Sequence, residues 1–217
     1  MEKGLVSIDI ADRLPGSGID LDKFTAVPMS DNRKLRFLLV GRMLRDKGVY
    51  EFIEAARLLN KRGIKAEFLL LGFVDVDNST AISQLQISDW VAEGIVRYLG
   101  ASDDVREQIA AVECVVLPSY REGVPRTLLE AAAMARPVIA TDVPGCRDVV
   151  DDGVNGFLCR LRDAKDLADK MQKMVALSSA EREAMGLRGR EKVEREFDEK
   201  IVINKYLAAI AEIVKKN

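Results

Sequence analysis

The sequence predicts an α/β fold in which one parallel β-sheet carries helices on both faces. Short apolar runs, such as the one at 114–117, alternate along the chain with longer segments of helical period. Parallel strands that are buried on both faces have continuous apolar runs of this kind, and regular alternation with helices implies a parallel sheet. Because ligands of such sheets bind beyond the carboxyl ends of the strands, we expect functional residues in the turns that follow them.

The strands are predicted from short apolar runs that are bounded by polar or glycine-containing turns. In chain order they cover residues 36–40, 66–71, 96–99, 114–117 and 137–140, with a short sixth at 156–159.

The helices are predicted from apolar residues spaced three and four positions apart, as at Val49, Phe52, Ile53 and Ala56. They cover residues 48–61, 79–92, 103–111, 127–135, 164–176, 180–196 and 198–215. The last of them is apolar on nearly every side, unlike a surface helix with one buried stripe. It packs either on its own sheet or against a further domain, and the sequence leaves both possibilities open.

Composition argues against several classes of function. The chain has 217 residues, 48% of them hydrophobic, and can bury a substantial core. Its 33 basic and 35 acidic residues nearly balance, which argues against a nucleic-acid partner. No run approaches the roughly 18 apolar residues of a membrane span, and no signal peptide is visible. The three cysteines lack C-x-x-C spacing, so we expect no disulfide framework and a cytoplasmic location.

The turn between the strand at 114–117 and the helix at 127–135 carries the most specific chemistry. A strand, turn and helix in this order aim free backbone N–H groups at an anion. Pro125 prevents one helix from holding both acidic residues, so Glu122 lies on the turn and Glu130 about one turn inside the helix. Helical side chains lean toward the N-terminus, which brings Glu130 within reach of a ligand at the helix start. A nucleotide-sugar, with phosphates between two sets of hydroxyls, matches this arrangement.

Two sequence blocks carry a resemblance to a known family. E-G-V-P-R-T-L-L-E and P-V-I-A-T-D-V-P-G-C-R-D-V-V-D-D-G-V-N-G-F-L resemble the signature of retaining GT-B glycosyltransferases of the group 1 type, above all their capsular and exopolysaccharide branch. The resemblance covers nearly the whole chain. Further stretches agree in order and spacing: Leu14-Pro15-Gly16-Ser17-Gly18-Ile19-Asp20, Val40-Gly41-Arg42 with Lys47-Gly48, and Tyr98-Leu99-Gly100 with Asp104-Val105.

The resemblance implies a domain organisation. Enzymes of this family have two Rossmann-like domains that face each other across a cleft, and here the motifs of the C-terminal domain begin near residue 36. We therefore expect the C-terminal, donor-binding half of an enzyme. Residues 1–33 would be a remnant of the N-terminal domain with the interdomain connection, residues 34–196 the nucleotide-sugar-binding domain and residues 197–217 the closing helix.

The N-terminal domain is an expected partner of this chain. In the resembling enzymes it supplies the acceptor site and any base that deprotonates the acceptor hydroxyl. The resemblance implies a saccharide or lipid-linked saccharide acceptor, which the parent enzyme would meet at the inner face of the membrane. The expected donor is a UDP-sugar.

The resemblance also implies roles for individual residues. Arg42 and Lys47 match positions that hold the diphosphate, where arginine can fork onto phosphate oxygens and lysine adds a point charge. Glu122 matches the glutamate that contacts the sugar hydroxyls, and Glu130 the one that contacts the ribose. For Glu122, covalent nucleophilic attack and front-face attack within an ion pair both stay open. The other expected binding residues are Gly41, Gly72, Gly123, Arg126, Thr127 and Leu128.

No metal or other cofactor is predicted. Asp75-Val76-Asp77 forms a D-x-D tripeptide, which elsewhere can bridge a metal to phosphates. Here it leads into Asn78-Ser79-Thr80, a good loop and helix cap. A diphosphate leaving group needs charge stabilisation more than a proton donor, and Arg42 with Lys47 can supply it.

Two other classes of function stay open. A sugar-nucleotide epimerase of the same fold is disfavoured by the Glu122 and Glu130 pair. A non-catalytic nucleotide-binding module would not need Glu122. A nicotinamide-dependent enzyme is disfavoured because no G-x-G-x-x-G follows the first strand.

The chain departs from the family pattern at two positions. Ala135 replaces a glycine near the end of a helix and is a poorer left-handed cap. Asp148 stands where many members have glutamate.

Overall fold

The computed structural model describes residues 14–29, 34–74 and 77–215 of the chain. The first part of the predicted N-terminal-domain remnant, residues 1–13, lies outside the described residues, as do Asp75 and Val76 of the D-x-D tripeptide.

The structure contains a parallel sheet of six strands in the order β3-β2-β1-β4-β5-β6, which confirms the predicted α/β class. The strand order reverses between β1 and β4, because β2 and β3 lie to one side of this pair and β5 and β6 to the other. A ligand crevice is expected at such a reversal. The strands are β1 (Leu35–Val40), β2 (Ala66–Leu71), β3 (Arg97–Tyr98), β4 (Cys114–Leu117), β5 (Val138–Thr141) and β6 (Gly156–Cys159).

Helices follow the strands and continue to the C-terminal end of the described chain. A short 3-10 turn at Arg45–Lys47 precedes the first of them. The helices are α1 (Val49–Lys61), α2 (Gln84–Ala92), α3 (Arg106–Ala110), α4 (Arg126–Ala133), α5 (Pro144–Val149), α6 (Ala164–Ala176), α7 (Ser179–Glu196) and α8 (Glu199–Lys215).

Three helices differ from the sequence prediction by three residues or more. Helix α3, predicted at 103–111, begins only at Arg106. The predicted helix 79–92 begins only at Gln84, because the Asn78 side chain accepts the Thr80 N–H at 2.8 Å and forms a turn. Ser83 is the true cap and accepts the Gln86 N–H. Helix α5 was not predicted; it has a proline at its start, a position that suits the fixed φ of proline.

The sheet is buried on both faces. Alternate side chains of β1 enter different clusters, with Phe37 and Leu39 in one and Leu38 and Val40 in the other. The first cluster contains the apolar faces of α1 and α6, and the second those of α4 and α5. This arrangement explains why the strands are apolar throughout rather than alternating.

Residues 14–29 pack on the sheet domain. The Ile19 N–H donates to Phe197 O at 2.9 Å, and the Glu199 N–H donates to Ile19 O at 3.1 Å. Arg136, only 1% exposed, donates to Val27 O at 2.7 Å, and burial lowers the pKa of its guanidinium. The segment therefore contacts both the sheet domain and the junction between α7 and α8.

Helix α8 leaves one apolar stripe uncovered. Beyond Val202, which is buried, the stripe residues are 49% to 68% exposed. Packing of the whole helix on its own sheet is therefore ruled out for the described chain. Among the described residues, no helix is long and apolar enough to cross a membrane. The α8 stripe consists of Ile203, Tyr206, Leu207, Ile210, Ile213 and Val214.

Candidate functional site

The two turns at the reversal of strand order meet through an ion pair. Lys47 follows β1 and Glu122 follows β4, and these strands are neighbours in the sheet. Lys47 Nζ lies 2.6 Å from Glu122 Oε1, with the two side chains 25% and 13% exposed. The structure thus brings together two predicted site residues that are 75 positions apart in sequence.

Gly48 sets the position of Lys47. It ends the 3-10 turn and begins α1 with a φ of 74°, in the left-handed region. A Cβ at this position would lie 2.1 Å from Pro118 O, just beyond β4. Only glycine allows this approach, and the start of α1 therefore packs directly on the turn that leads to Glu122.

Arg42 is the exposed cation of the site. Its backbone carbonyl accepts the Leu44 N–H, but its guanidinium makes no hydrogen bond or ion pair among the described residues and is available for an anion. The loop after β2 supports the Arg42 turn, because the Met43 N–H donates to Phe73 O at 2.8 Å and Leu44 forms an antiparallel bridge with Ala81.

The two predicted glycine turns, at Gly41 and Gly72, are in backbone contact. The Gly41 N–H donates to Leu71 O at 3.0 Å, and a Cβ on Gly72 would lie 1.8 Å from Gly41 O. They bring the loops after β1 and β2 together at the carboxyl edge of the sheet.

Glu130 is buried in α4. Its side chain is 11% exposed, and Oε1 accepts a hydrogen bond from Arg126 Nε at 2.9 Å. Burial raises the pKa of the Glu130 carboxyl, and the nearby Arg126 opposes this shift. Arg126 itself is 64% exposed, so it covers Glu130 from the solvent side.

The first turn of α4 offers fewer free donors than the sequence predicts. No backbone acceptor is recorded for the N–H groups of Arg126 and Thr127 among the described residues. The Leu128 N–H, however, donates to Pro125 O at 3.1 Å, and the Leu128 side chain is fully buried. The Leu128 side chain therefore belongs to the core. A phosphate bound at this helix start would depend on the backbone N–H groups of Arg126 and Thr127.

Two features beside the Glu122 turn were not predicted as functional. Gly145 at the start of α5 lies against the turn, since a Cβ there would be 1.3 Å from Gly123 O. On the other side, the Tyr120 hydroxyl donates to Glu51 Oε1 at 2.7 Å. Gly145 lies inside one of the two sequence blocks that carry the family resemblance, and Tyr120 lies two positions before the other. Their nearness to these blocks is the sequence signal that could have identified them.

The D-x-D tripeptide and the three cysteines are the remaining candidates from the sequence. Asp77 of the D-x-D tripeptide is exposed, while Asp75 lies outside the described residues. All three cysteines are buried and free. Burial raises the pKa of Cys146 and of Cys159 to about 12, so neither thiol is a reactive nucleophile near neutral pH.

Comparisons with known proteins identify the family of this chain. A family model described as Glycosyl transferases group 1 matches residues 34–176. The N,N'-diacetylbacillosaminyl-diphospho-undecaprenol alpha-1,3-N-acetylgalactosaminyltransferase of Campylobacter jejuni is 30% identical over an alignment that covers 91% of this chain and 53% of that protein. The capsular polysaccharide biosynthesis glycosyltransferase CapM of Staphylococcus aureus is also 30% identical, over 86% of this chain and 50% of that protein.

A solved structure shares the fold. The crystal structure of Anabaena HepE in complex with UDP-glucose matches with a TM-score of 0.75 and 22% identity, over 90% of this chain and 56% of that one. The chain spans about half the length of the curated relatives it matches. The match of the family model to residues 34–176, together with 30% identity over most of the chain, means that this protein belongs to the group 1 glycosyl transferases.

Proposed function

We propose that this chain is the donor-binding half of a retaining glycosyltransferase that uses a nucleotide diphosphate sugar. The observation that carries the proposal is the pairing of Lys47 with Glu122 at the reversal of strand order, with the exposed Arg42 in the same loop after β1 as Lys47. The ion pair lies at the edge of the sheet where a ligand is expected, and Arg42 adds a second cation to the loop after β1. The HepE structure of the same fold, which contains UDP-glucose, supports UDP as the nucleotide.

The chemistry follows from the charge that develops in the reaction. Transfer breaks the bond between the anomeric carbon and a diphosphate oxygen, so negative charge grows on the leaving diphosphate. Lys47, Arg42 and the free N–H groups at the start of α4 stabilise that charge without moving a proton. Glu122, once Lys47 turns to the phosphates, is free to accept hydrogen bonds from sugar hydroxyls, and Glu130 accepts from the ribose.

No metal is required in this proposal. The positive charge that a divalent ion would supply comes from Arg42 and Lys47, whose turn directly follows β1. Binding of a nucleotide should therefore survive the addition of EDTA. A large loss on chelation would instead return Asp75 and Asp77 to consideration as metal ligands.

We also propose that the other half of the enzyme covers the α8 stripe and supplies the acceptor site. The six stripe residues are exposed here, and an apolar patch of this length on a helix marks an interaction surface. A lipid-linked acceptor is proposed because the Campylobacter relative is named for a diphospho-undecaprenol substrate. The CapM relative supports a role in cell-surface polysaccharide synthesis, carried out at the cytoplasmic face of the membrane.

Calorimetry with a panel of ligands tests the proposal. UDP, UDP-glucose, UDP-N-acetylgalactosamine and the corresponding GDP compounds would each be titrated into the purified chain, with and without EDTA. We expect binding of at least one nucleoside diphosphate, tighter binding of one of its sugar forms, and no sugar transfer by the chain alone. A chain that binds none of them contradicts the proposal. Nucleotide binding with no gain from any sugar favours a non-catalytic nucleotide-binding module.

A further inference from the structure

Tyr120 lies two positions before Glu122 and is held at three points. Its hydroxyl donates to Glu51 Oε1 at 2.7 Å, and its backbone N–H donates to Asp46 O at 2.8 Å. The guanidinium carbon of Arg162 lies 4.4 Å from the centroid of its ring. These partners belong to α1, to the turn that carries Lys47 and to the connection between β6 and α6, so one side chain ties three elements to the Glu122 turn.

The hydroxyl of Tyr120 donates to a carboxylate that is partly buried. Glu51 Oε2 is buried, and no hydrogen-bond partner is recorded for it among the described residues, so the Tyr120 hydroxyl is the recorded partner of this carboxylate. A buried carboxylate without any donor is costly. Burial and the hydrogen bond to Glu51 raise the pKa of Tyr120, and the hydroxyl therefore stays protonated and remains a donor at neutral pH.

The ring of Tyr120 is in contact with the side chain of Arg162. Arg162 has a φ of 55°, in the left-handed region that is uncommon for residues other than glycine. Its guanidinium nevertheless stacks on the Tyr120 ring, a contact that stabilises a cation over an aromatic face. This contact holds the ring of Tyr120 against the connection between β6 and α6.

The backbone bond of Tyr120 links the two halves of the site. Asp46, which accepts it, directly precedes Lys47, and Tyr120 is two positions before Glu122. On the far side of the turn, Gly145 lies against Gly123 and leaves no room for the turn to move away. The position of the Glu122 carboxylate beside Lys47 thus depends on the anchoring of Tyr120.

We propose that Tyr120 is a positioning residue that holds Glu122 against Lys47 before the donor binds. It thereby sets how much of the donor affinity comes from the sugar. This inference rests on the proposed function, because it concerns the same nucleotide-sugar site. It adds that Tyr120, through its hydroxyl, keeps Glu122 where a sugar will meet it and keeps Lys47 from closing on a bare nucleotide.

The variant Tyr120→Phe tests the role of the hydroxyl. It keeps the ring, the contact with Arg162 and the backbone bond to Asp46, and it removes the hydroxyl that contacts Glu51 and the Arg45 side chain. We expect the variant to bind UDP about twofold more tightly, because Lys47 is less firmly held by Glu122. The extra affinity that an attached sugar provides should fall by about threefold. Calorimetry with UDP, UDP-glucose and UDP-N-acetylgalactosamine measures both effects.

A purely structural role gives a different result. If the hydroxyl only stabilised the fold, Tyr120→Phe would lower the affinities for UDP and for its sugar forms together. This outcome overturns the inference. A variant with both affinities unchanged overturns it as well. Tyr50→Phe is the matched control. Tyr50 lies in α1 next to Glu51 and packs edge-on against Trp90, so loss of its hydroxyl should change neither affinity.

Two further measurements decide the matter independently. The double variant Tyr120→Phe with Glu122→Gln should bind UDP no more tightly than Glu122→Gln alone, because both changes release the same lysine; additive gains overturn the inference. A crystal structure of Tyr120→Phe in which Lys47 Nζ still lies within about 3 Å of Glu122 also overturns it, whether or not the chain binds UDP. If the unaltered chain binds no nucleotide, the proposed function fails, and this crystal structure still decides the role of Tyr120.

Discussion

Replacement of Glu122 by glutamine should strengthen the binding of UDP while removing the contribution of the sugar. From the sequence alone, this change is expected to leave UDP binding unaltered, because the carboxylate has no group to contact in a nucleotide without sugar. The structure changes that expectation. Lys47 is already paired with Glu122 at 2.6 Å, so a phosphate must compete with the carboxylate for the same ammonium group.

The magnitude follows from the exposure of the pair. Exposed ion pairs contribute about 0–1 kcal/mol, and hydrogen bonds to charged groups about 1.5–3 kcal/mol. Lys47 and Glu122 are 25% and 13% exposed, and glutamine keeps a neutral acceptor. We therefore expect a gain of about 1 kcal/mol, or about fivefold in the dissociation constant for UDP.

Calorimetry with UDP and with the preferred UDP-sugar measures both effects. Glu54→Gln is the control, because it makes the same change of charge on α1 at an exposed carboxylate that pairs with Arg57. It should leave UDP affinity unaltered at fixed ionic strength. A fall in UDP affinity for Glu122→Gln, or an equal rise for Glu54→Gln, would refute the competition between carboxylate and phosphate.

Four other changes have defined outcomes. Arg42→Ala should weaken the binding of UDP by about 1.5–3 kcal/mol in calorimetry and leave the binding of uridine unchanged. Equal losses for UDP and uridine would mean that Arg42 acts on folding rather than on the phosphates. Glu130→Gln should raise the free energy of unfolding at pH 7, because the raised pKa of Glu130 makes its ionised carboxyl destabilising in the folded chain. The gain should disappear as the pH falls below about 4, where the carboxyl is protonated in the folded and the unfolded chain. Urea denaturation at pH 7 and below pH 4 measures the difference. Ala135→Gly should stabilise the chain by about 0.5–1 kcal/mol, since Ala135 has a φ of 55°; destabilisation would mean that the methyl group matters more than the backbone. Gly145→Ala should abolish UDP-sugar binding by displacing the Glu122 turn, and unchanged affinity would contradict the close approach to Gly123 O.

Much of the fold could be predicted because parallel strands and amphipathic helices leave distinct periods in the sequence. The predicted bounds of β2, β4 and β6 are those of the structure. Prediction was weakest where local polar side chains decide the outcome. Asn78 forms a turn and delays the start of α2, and the six-residue α5 is too short to show a period.

Part of the site could also be predicted, because topology places the turns after β1 and β4 at one edge of the sheet. The pairing of Arg126 with Glu130 was not predicted, although its i,i+4 spacing is a signal that the sequence contains. The contacts between Lys47 and Glu122 and between Tyr120 and Glu51 were not, since they join positions 75 and 69 residues apart and depend on how closely α1 approaches β4. That approach is set by a backbone contact at Gly48, which has no periodic signature.

A crystal structure of this chain with UDP tests most directly whether the diphosphate binds between the turns after β1 and β4. We predict phosphate oxygens within about 3 Å of Lys47 Nζ, the guanidinium of Arg42 on the same phosphates, and Lys47 withdrawn from Glu122. A diphosphate bound away from both turns, or one bound there while Lys47 stays 2.6 Å from Glu122, would contradict the proposed site.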